Sequence, residues 1–472
     1  LGRLTGDSWL AMTGTLIVLA GGAIAAGEGA IGELLGTGFS YPYFPAFRRY
    51  IPAIPFAAFF LTIGFIWKMV GSEDLRRRMI FGALAVVAFG YTVFSYFYTW
   101  TTAAGWLACI GVLWLVFGSG NRKRDLASFA GVGAGCAAFL APYAYLLSKR
   151  SHTMDDVQLL VNTRAPDLAR FPEYIAAAVL VVLGLAIAFK VIVFRSKETI
   201  FALSFAIVPF ILFNQQIVTG RELQPIHYQV FIGNYVAALA AVATIGVILK
   251  QSGVFESAKW KAVAAYVALI AVSWGLIECK YTVRVLDDVN VARDAAMPVG
   301  NRLTQLGSGN ADVRHQVVFH YDIAEGDDLP TIAPQSVLWA RHQHVFAGVT
   351  WQENKERYYQ YLLFRNYTAN DLAESIKGGD FVSSIALFGW GRHTDRLNSA
   401  YKPLTYREVD QEAARYGNYI DSFNPRNSPD TMLSYAVIPN DREVDLTNLD
   451  RYYERDNGEI VGNYLLYKLS LR

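Results

Sequence analysis

The sequence predicts a polytopic α-helical membrane protein that ends in an external α/β domain. Three observations carry that expectation. Of 472 residues, 53% are hydrophobic and only 17% are charged, too apolar for a water-soluble chain of this length. Nine stretches before residue 280 are apolar over about 20 residues, the length a helix needs to cross a hydrocarbon core about 30 Å thick. From Lys280 onward the hydropathy falls, and no further spanning stretch occurs. The expected division is a transmembrane helical domain over 1–279 and an external α/β domain over 280–472.

The nine windows run approximately over 9–27, 50–69, 79–97, 100–118, 126–147, 173–194, 199–217, 228–249 and 260–279. The first is rich in Gly and Ala. The third and fourth must turn at Tyr98-Thr99-Trp100 almost without a loop. Orientation follows from the Lys and Arg of short loops, which stay on the cytoplasmic side. Arg76-Arg77-Arg78, Arg122-Lys123-Arg124, Arg195 with Lys197, and Lys250 with Lys259 and Lys261 fall in alternate loops. The loops 28–49 and 148–171, the segment between windows seven and eight, and everything after Lys280 then lie outside. This is the topology of a multi-pass protein of the bacterial inner (cytoplasmic) membrane with a periplasmic C-terminal domain. Leu1-Gly2-Arg3 does not read as the start of a signal peptide, so the expectation is a processed chain or further residues upstream.

Cys109 and Cys136 lie inside windows and Cys279 at the end of one, so no disulfide is expected in the external domain. The glycosylation-type triplet Asn366-Tyr367-Thr368 is short enough to arise by chance. A net charge of +2, with the basic residues accounted for by topology, gives no reason to expect a nucleic-acid partner.

Beyond Asn310, β-rich runs alternate with amphipathic stretches. Strands are expected over 316–319, 336–340, 383–388, 433–438 and 464–469, and helices over 353–364, 370–376, 406–419 and 446–453. Thr368, three residues before Asp371, should cap the second helix. Such alternation predicts a largely parallel sheet. No glycine-rich phosphate loop and no GxSxG marks this domain as catalytic. His342 and His344, two apart on an expected strand, with His320 nearby, lack the further ligands zinc requires, so no metal site is expected.

The most informative segment is 211–230, ILFNQQIVTGRELQPIHYQV, a polar knot between two spanning stretches. Polar groups at that depth are costly to desolvate and belong in a polar cavity. Pro225 should break any helix, making 220–225 an external turn that presents Arg221, Glu222, Gln224 and His227, with Gln215, Gln216 and Tyr228 alongside. Arg221 suits a phosphate, since a guanidinium holds two oxygens at once. The plainer alternative is that Asn214, Gln215 and Gln216 tie helices together and Arg221 pairs with Glu222 or lipid headgroups. The loop 152–170 carries Asp155, Asp156, Arg164, Asp167 and Arg170 beside an apolar stretch, 157–161. It reads equally as a flap over a lipid-linked substrate, with Arg164 and Arg170 on its phosphate, or as a solvated linker. In the first external loop Glu28 and Glu33 are the candidate bases, while Tyr41, Tyr43, Phe44 and Tyr50 form an interface belt beside Arg48 and Arg49. Tyr91, Tyr96, Tyr98, Trp100 and Trp106 are a second such belt or, alternatively, a sugar-stacking surface.

This arrangement resembles the C-type glycosyltransferase superfamily of integral membrane enzymes. The segments YFYTWTTAAGWL (96–107), NTRAPDLARFPEY (162–174), NQQIVTGRELQPIHY (214–228) and RYYERDNGEIVGNYLLYKL (451–469) resemble uncharacterised bacterial members. The resemblance implies a sugar donor on a polyprenyl phosphate, transfer at the external membrane face with inversion, an acidic base in the first external loop, and basic residues on the leaving phosphate. Arg221 would take that last role, helped by Arg164 or Arg170. The chain departs from the pattern in having no clear Asp in its first loop and no WWD motif in its external domain. No cofactor other than the lipid-linked donor is implied. The alternative is a non-catalytic relative, a scaffold or accessory subunit that meets protein partners through the external domain. A transporter is disfavoured, since no inverted repeat is visible and Lys190 and Glu278 lie near span ends, where snorkelling accounts for them.

Overall fold

A computed structural model describes residues 1–36, 50–118, 120–150, 161–345, 348–394 and 401–472. The expectations placed on Tyr41, Tyr43, Phe44, Arg48, Arg49, Asp155, Asp156 and 157–160 lie outside the described residues. The chain forms two compact units, one of 1–149 with 162–285 and one of 150–161 with 286–472.

The first unit is helical: α1 (Ser8–Ala20), α2 (Gly22–Ala25), α3 (Ala30–Leu34), α4 (Tyr50–Val70), α5 (Leu75–Val93), α6 (Phe97–Phe117), α7 (Arg122–Ser148), α8 (Phe171–Ala188), α9 (Lys197–Phe213), α10 (Gln216–Thr219), α11 (Pro225–Gln251) and α12 (Ala258–Ala295). Short polar side chains start these helices where the apolar runs begin. Asp7, Asp74, Asn121 and Ser196 each accept a backbone N–H of the first turn, satisfying donors a helix cannot pair internally. Among the described residues six helices are long and apolar enough to cross a membrane: 52–70, 97–117, 122–148, 171–188, 225–251 and 259–307. The remaining windows are helical over Ser8–Ala20, of 13 residues, Leu75–Val93, whose first turn carries three arginines, and Lys197–Phe213, of 17 residues. Helix content and these six apolar helices are those of a helical membrane protein.

Small residues let these helices approach closely. A Cβ on Gly90 of α5 would sit 2.7 Å from the Phe139 ring of α7, and one on Gly22 would sit 2.4 Å from the Tyr235 ring. At the centre Trp106 stacks on Phe205 and donates its indole N–H to Ser204 Oγ at 3.0 Å. The turn expected at 98–100 falls instead at 94–96, because Tyr96 takes an extended conformation and starts α6.

Two charges sit where hydropathy did not put them. Arg78, counted with the cytoplasmic loop, lies inside α5, 1% exposed, and bonds Asp125 and the Ser128 hydroxyl; Trp114 donates to the other Asp125 oxygen at 2.8 Å. Glu278, expected to snorkel, is also 1% exposed and accepts the Ala30 N–H at 3.1 Å. Lys190, by contrast, is exposed. The helix α12 does not end at Lys280 and runs past residue 285, where the first unit ends. Helix-forming, largely exposed residues carry α12 on to Ala295.

After α13 (Met297–Gly307), the second unit contains β1 (Val317–His320), α14 (Ile323–Asp328), β2 (Ser336–Val337), α15 (Trp351–Phe364), α16 (Ala369–Lys377), α17 (Phe381–Phe388), α18 (Tyr406–Ser422), β3 (Leu433–Pro439), α19 (Thr447–Tyr452), β4 (Tyr453–Arg455), β5 (Glu459–Val461) and β6 (Tyr464–Leu471). The sheet order is β2-β1-β3-β6-β4, with β5 also on β6. It is mixed rather than largely parallel: β2, β1 and β3 run parallel, while β6 pairs antiparallel with β3, β4 and β5. The expected strand over 383–388 is helix α17. Asp380 caps it by accepting the Val382 N–H, and the Ser383 and Ser384 hydroxyls bond back to Asp380, which overrides the β-propensity of the run. The expected capping box of Thr368 and Asp371 is present. Phe319, Trp339, Tyr361, Phe364 and Tyr453 fill the core between helices and sheet.

Candidate functional site

The polar knot is built by two segments that interlock backbone to side chain. Gly220, at φ 75°, closes α10, and its carbonyl accepts the Thr163 N–H at 3.1 Å. Arg164 Nη1 donates to the Ile217 and Val218 carbonyls at 2.7 and 3.1 Å, meeting the negative end of α10. Gln216 donates to the Ala165 carbonyl at 3.0 Å, and Gln215 to the Arg221 carbonyl at 2.9 Å. Asn214 is the hub. It accepts the Asp167 N–H at 3.0 Å and donates to the Asp167 carbonyl at 3.0 Å and to Glu173 Oε1 at 2.9 Å. Arg170 is held against Asp167 at 2.5 Å, and its N–H donates to Glu173 Oε2 at 3.2 Å. Asp167, Glu173, Gln216 and Glu222 are all buried.

Pro225 does not break a helix here; it starts one. Its lost N–H is harmless at the first position of α11, and Gln224 precedes it in a left-handed conformation at φ 51°. Gln224 Oε1 accepts the Tyr98 hydroxyl at 3.2 Å. The His227 ring lies 4.7 Å from that of Tyr98 and stacks on Phe231 at 5.7 Å, while the buried Tyr228 shares a 2.9 Å bond with the Thr101 hydroxyl. Residues 229–233 then form one π-helical turn, a local widening common at functional sites. Gln229 of this turn donates to the Ala26 carbonyl at 2.6 Å, and Asn234, the residue after it, donates to the Gly22 carbonyl at 2.8 Å.

Those two bonds bring the first loop to the knot. Glu28 lies two residues beyond Ala26 and is 5% exposed. Glu33 is placed differently, in a 2.8 Å ion pair with Arg284. Glu278 packs beneath residues 29 and 30, where Gly29 at φ 86° leaves only 2.6 Å between an added Cβ and its carboxylate. Of the predicted residues, Gln224, His227 and Tyr228 meet around Tyr98, and Glu28 follows by two residues the Ala26 carbonyl that Gln229 holds. Arg221 is exposed on the adjoining turn. Arg164 and Arg170 are engaged in holding the 162–170 segment in place.

Sequence reasoning missed Glu173, Gln229 and the burial of Glu278. A carboxylate within the first turn of an apolar helix, as in Phe171-Pro172-Glu173, is the signal that was available for the first. In the second unit His320 and His344 are buried, and burial holds each imidazole down to about 4. His342 and His344 lie on a turn rather than a strand. Among the described residues no cluster of His, Cys, Asp or Glu is arranged to hold a metal. The chain matches no protein-family model and no characterised relative.

Proposed function

We propose that this protein is an integral membrane glycosyltransferase that takes a sugar from a polyprenyl-phosphate-linked donor and passes it to an envelope glycan or glycolipid at the external face of a bacterial inner membrane, with the second unit in the periplasm. The observation that carries the reading is the tie from Gln229 to Ala26, which sets a buried carboxylate, Glu28, at the same end of the helices as Gln224, His227 and the exposed Arg221. Transfer with inversion needs two such groups. Glu28 takes the proton of the acceptor hydroxyl as that oxygen attacks the anomeric carbon. The bond from that carbon to the phosphate oxygen breaks, and Arg221 stabilises the charge left on the polyprenyl phosphate.

The test is sugar transfer in proteoliposomes from a polyprenyl-phosphate sugar. Glu28→Gln should lower turnover by about 10²- to 10⁴-fold, the range for loss of a general base. Arg221→Ala should deplete polyprenyl phosphate from the copurifying lipids. Turnover unchanged by Glu28→Gln removes the proposed base.

A second reading has its own support. Arg164, Arg170, Gln215 and Gln216 all bond to the protein itself, as expected of a surface built for rigidity. On that reading the protein is a non-catalytic accessory subunit, with protein partners on its second unit. Association with other membrane proteins on affinity purification, together with no bound polyprenyl phosphate, would favour it.

A further inference from the structure

A void in the first unit lies away from the knot, along the faces of α1 and α4, and measures about 1140 Å³. That exceeds the roughly 300–1,000 Å³ of ordinary small-molecule sites. Its wall is apolar, with Val18, Leu19, Phe56 and Phe60 prominent, and Gly64 faces open space. Two hydroxyls line it, Ser8 at the start of α1 and Thr15 further along, and Thr15 spends its proton on the Ala11 carbonyl at 2.7 Å. Along α1 the lining runs from Ser8 to Leu19, about 16 Å at 1.5 Å per residue, close to half of a hydrocarbon core about 30 Å thick. The groove is therefore one leaflet deep.

One end of this groove is cationic. Arg3 and Lys68 both line it and both are exposed. Among the described residues neither makes an ion pair; Lys68 rests only over the Phe81 ring at 5.1 Å. Lys197 stands beside the same end, 3.6 Å over the ring of the lining residue Trp67. An apolar channel one leaflet deep with fixed cations at its mouth has the polarity of a lipid read from tail to headgroup.

We propose that this groove is a binding site for an anionic phospholipid of the bilayer, its acyl chains along α1 and α4 and its phosphate at Arg3 and Lys68. The site is independent of the glycosyl-transfer reading, since it shares no residue with the knot.

The test uses the full chain in nanodiscs of phosphatidylcholine with phosphatidylglycerol, released for native mass spectrometry. The wild type should retain one phosphatidylglycerol in preference to phosphatidylcholine. Two cations near a membrane surface, at about 1 kcal/mol each, set the expected preference at roughly 30-fold. The double substitution Arg3→Gln with Lys68→Gln should abolish the preference while leaving chain occupancy. Gly64→Trp, which meets no atom within 4 Å at its Cβ, should fill the channel and remove both lipids without lowering the melting temperature. Equal retention of the two lipids by wild type, or phosphatidylglycerol retention unaffected by Gly64→Trp, overturns the proposal. So does displacement of the phospholipid by added polyprenyl phosphate.

Discussion

Asn214→Leu should release the segment 162–170 from the knot. The side chains are similar in size, so the change removes hydrogen bonds without opening a large cavity. Three are lost, and with them the Asp167 N–H, the Asp167 carbonyl and a Glu173 carboxyl oxygen lose their partner. Asp167 is 4% exposed and Glu173 1%. A buried polar group stripped of its partner costs about 1–3 kcal/mol, and relaxation recovers part of it, so the expected loss is about 3–5 kcal/mol. Arg164 still holds the Ile217 and Val218 carbonyls, so the effect should be local opening rather than global collapse. Hydrogen–deuterium exchange reads it directly. At about 1.4 kcal/mol per tenfold, amides of 162–170 should exchange at least a hundredfold faster, while those of α6 stay unchanged. Exchange in 162–170 altered less than threefold would refute the idea that Asn214 is the hub.

Four further outcomes are expected. Asp125→Ala strands a buried guanidinium and should destabilise by about 3–5 kcal/mol, whereas the double change Arg78→Met with Asp125→Leu should cost far less, as thermal unfolding in detergent will report. Gly29→Ala, which combines a positive φ with a clash against Glu278, should lower the melting temperature and, on the proposed function, turnover as well. His320, held near 4 by burial, is neutral when folded, while its unfolded form gains a proton near 6.5. Its contribution is complete above pH 6.5 and is lost as pH falls toward 4, on the order of 3 kcal/mol, and His320→Leu should flatten that limb of the second unit's melting curve. Glu408 is the opposite case. Bonds from the Thr405 N–H and hydroxyl and from Arg392 hold its carboxyl near 2, so its contribution is complete above about pH 4.5 and is lost as pH falls through 2; Glu408→Gln should remove that acid dependence.

The sequence showed what depends on composition and local pattern. Apolar runs located the helices, and the Thr368 and Asp371 pair located a cap, because each signal lies within a few residues. What it concealed depends on facing. Hydropathy reports how deep Glu278 or Arg78 lies but not which neighbour it meets, so both were read as surface charges. The interlock of 162–173 with 214–221 was hidden for another reason: five of its bonds end on backbone carbonyls, which every residue carries. Ser383–Phe388 was misread as a strand because its apolar run suits either state, and the arbiter, Asp380, stands outside it. The candidate residues of the knot were legible as a group, since buried polarity is conspicuous in an apolar chain. The partner of each was not.

The π-helical turn at 229–233 has a consequence for how this chain tolerates change in length. Such a turn holds one residue more than an α-helical path over the same rise. Removing any one residue from it would let α11 relax to regular pitch without breaking the helix or exposing its apolar face downstream. Because the residue removed is the one the wide turn absorbs, the helix on either side keeps its facing, and Gln224 and His227 stay against Tyr98. A deletion in a regular part of α11 would instead turn everything upstream of it by about 100°. The wide turn is therefore a place in this helix where the chain can lose a codon without moving the knot.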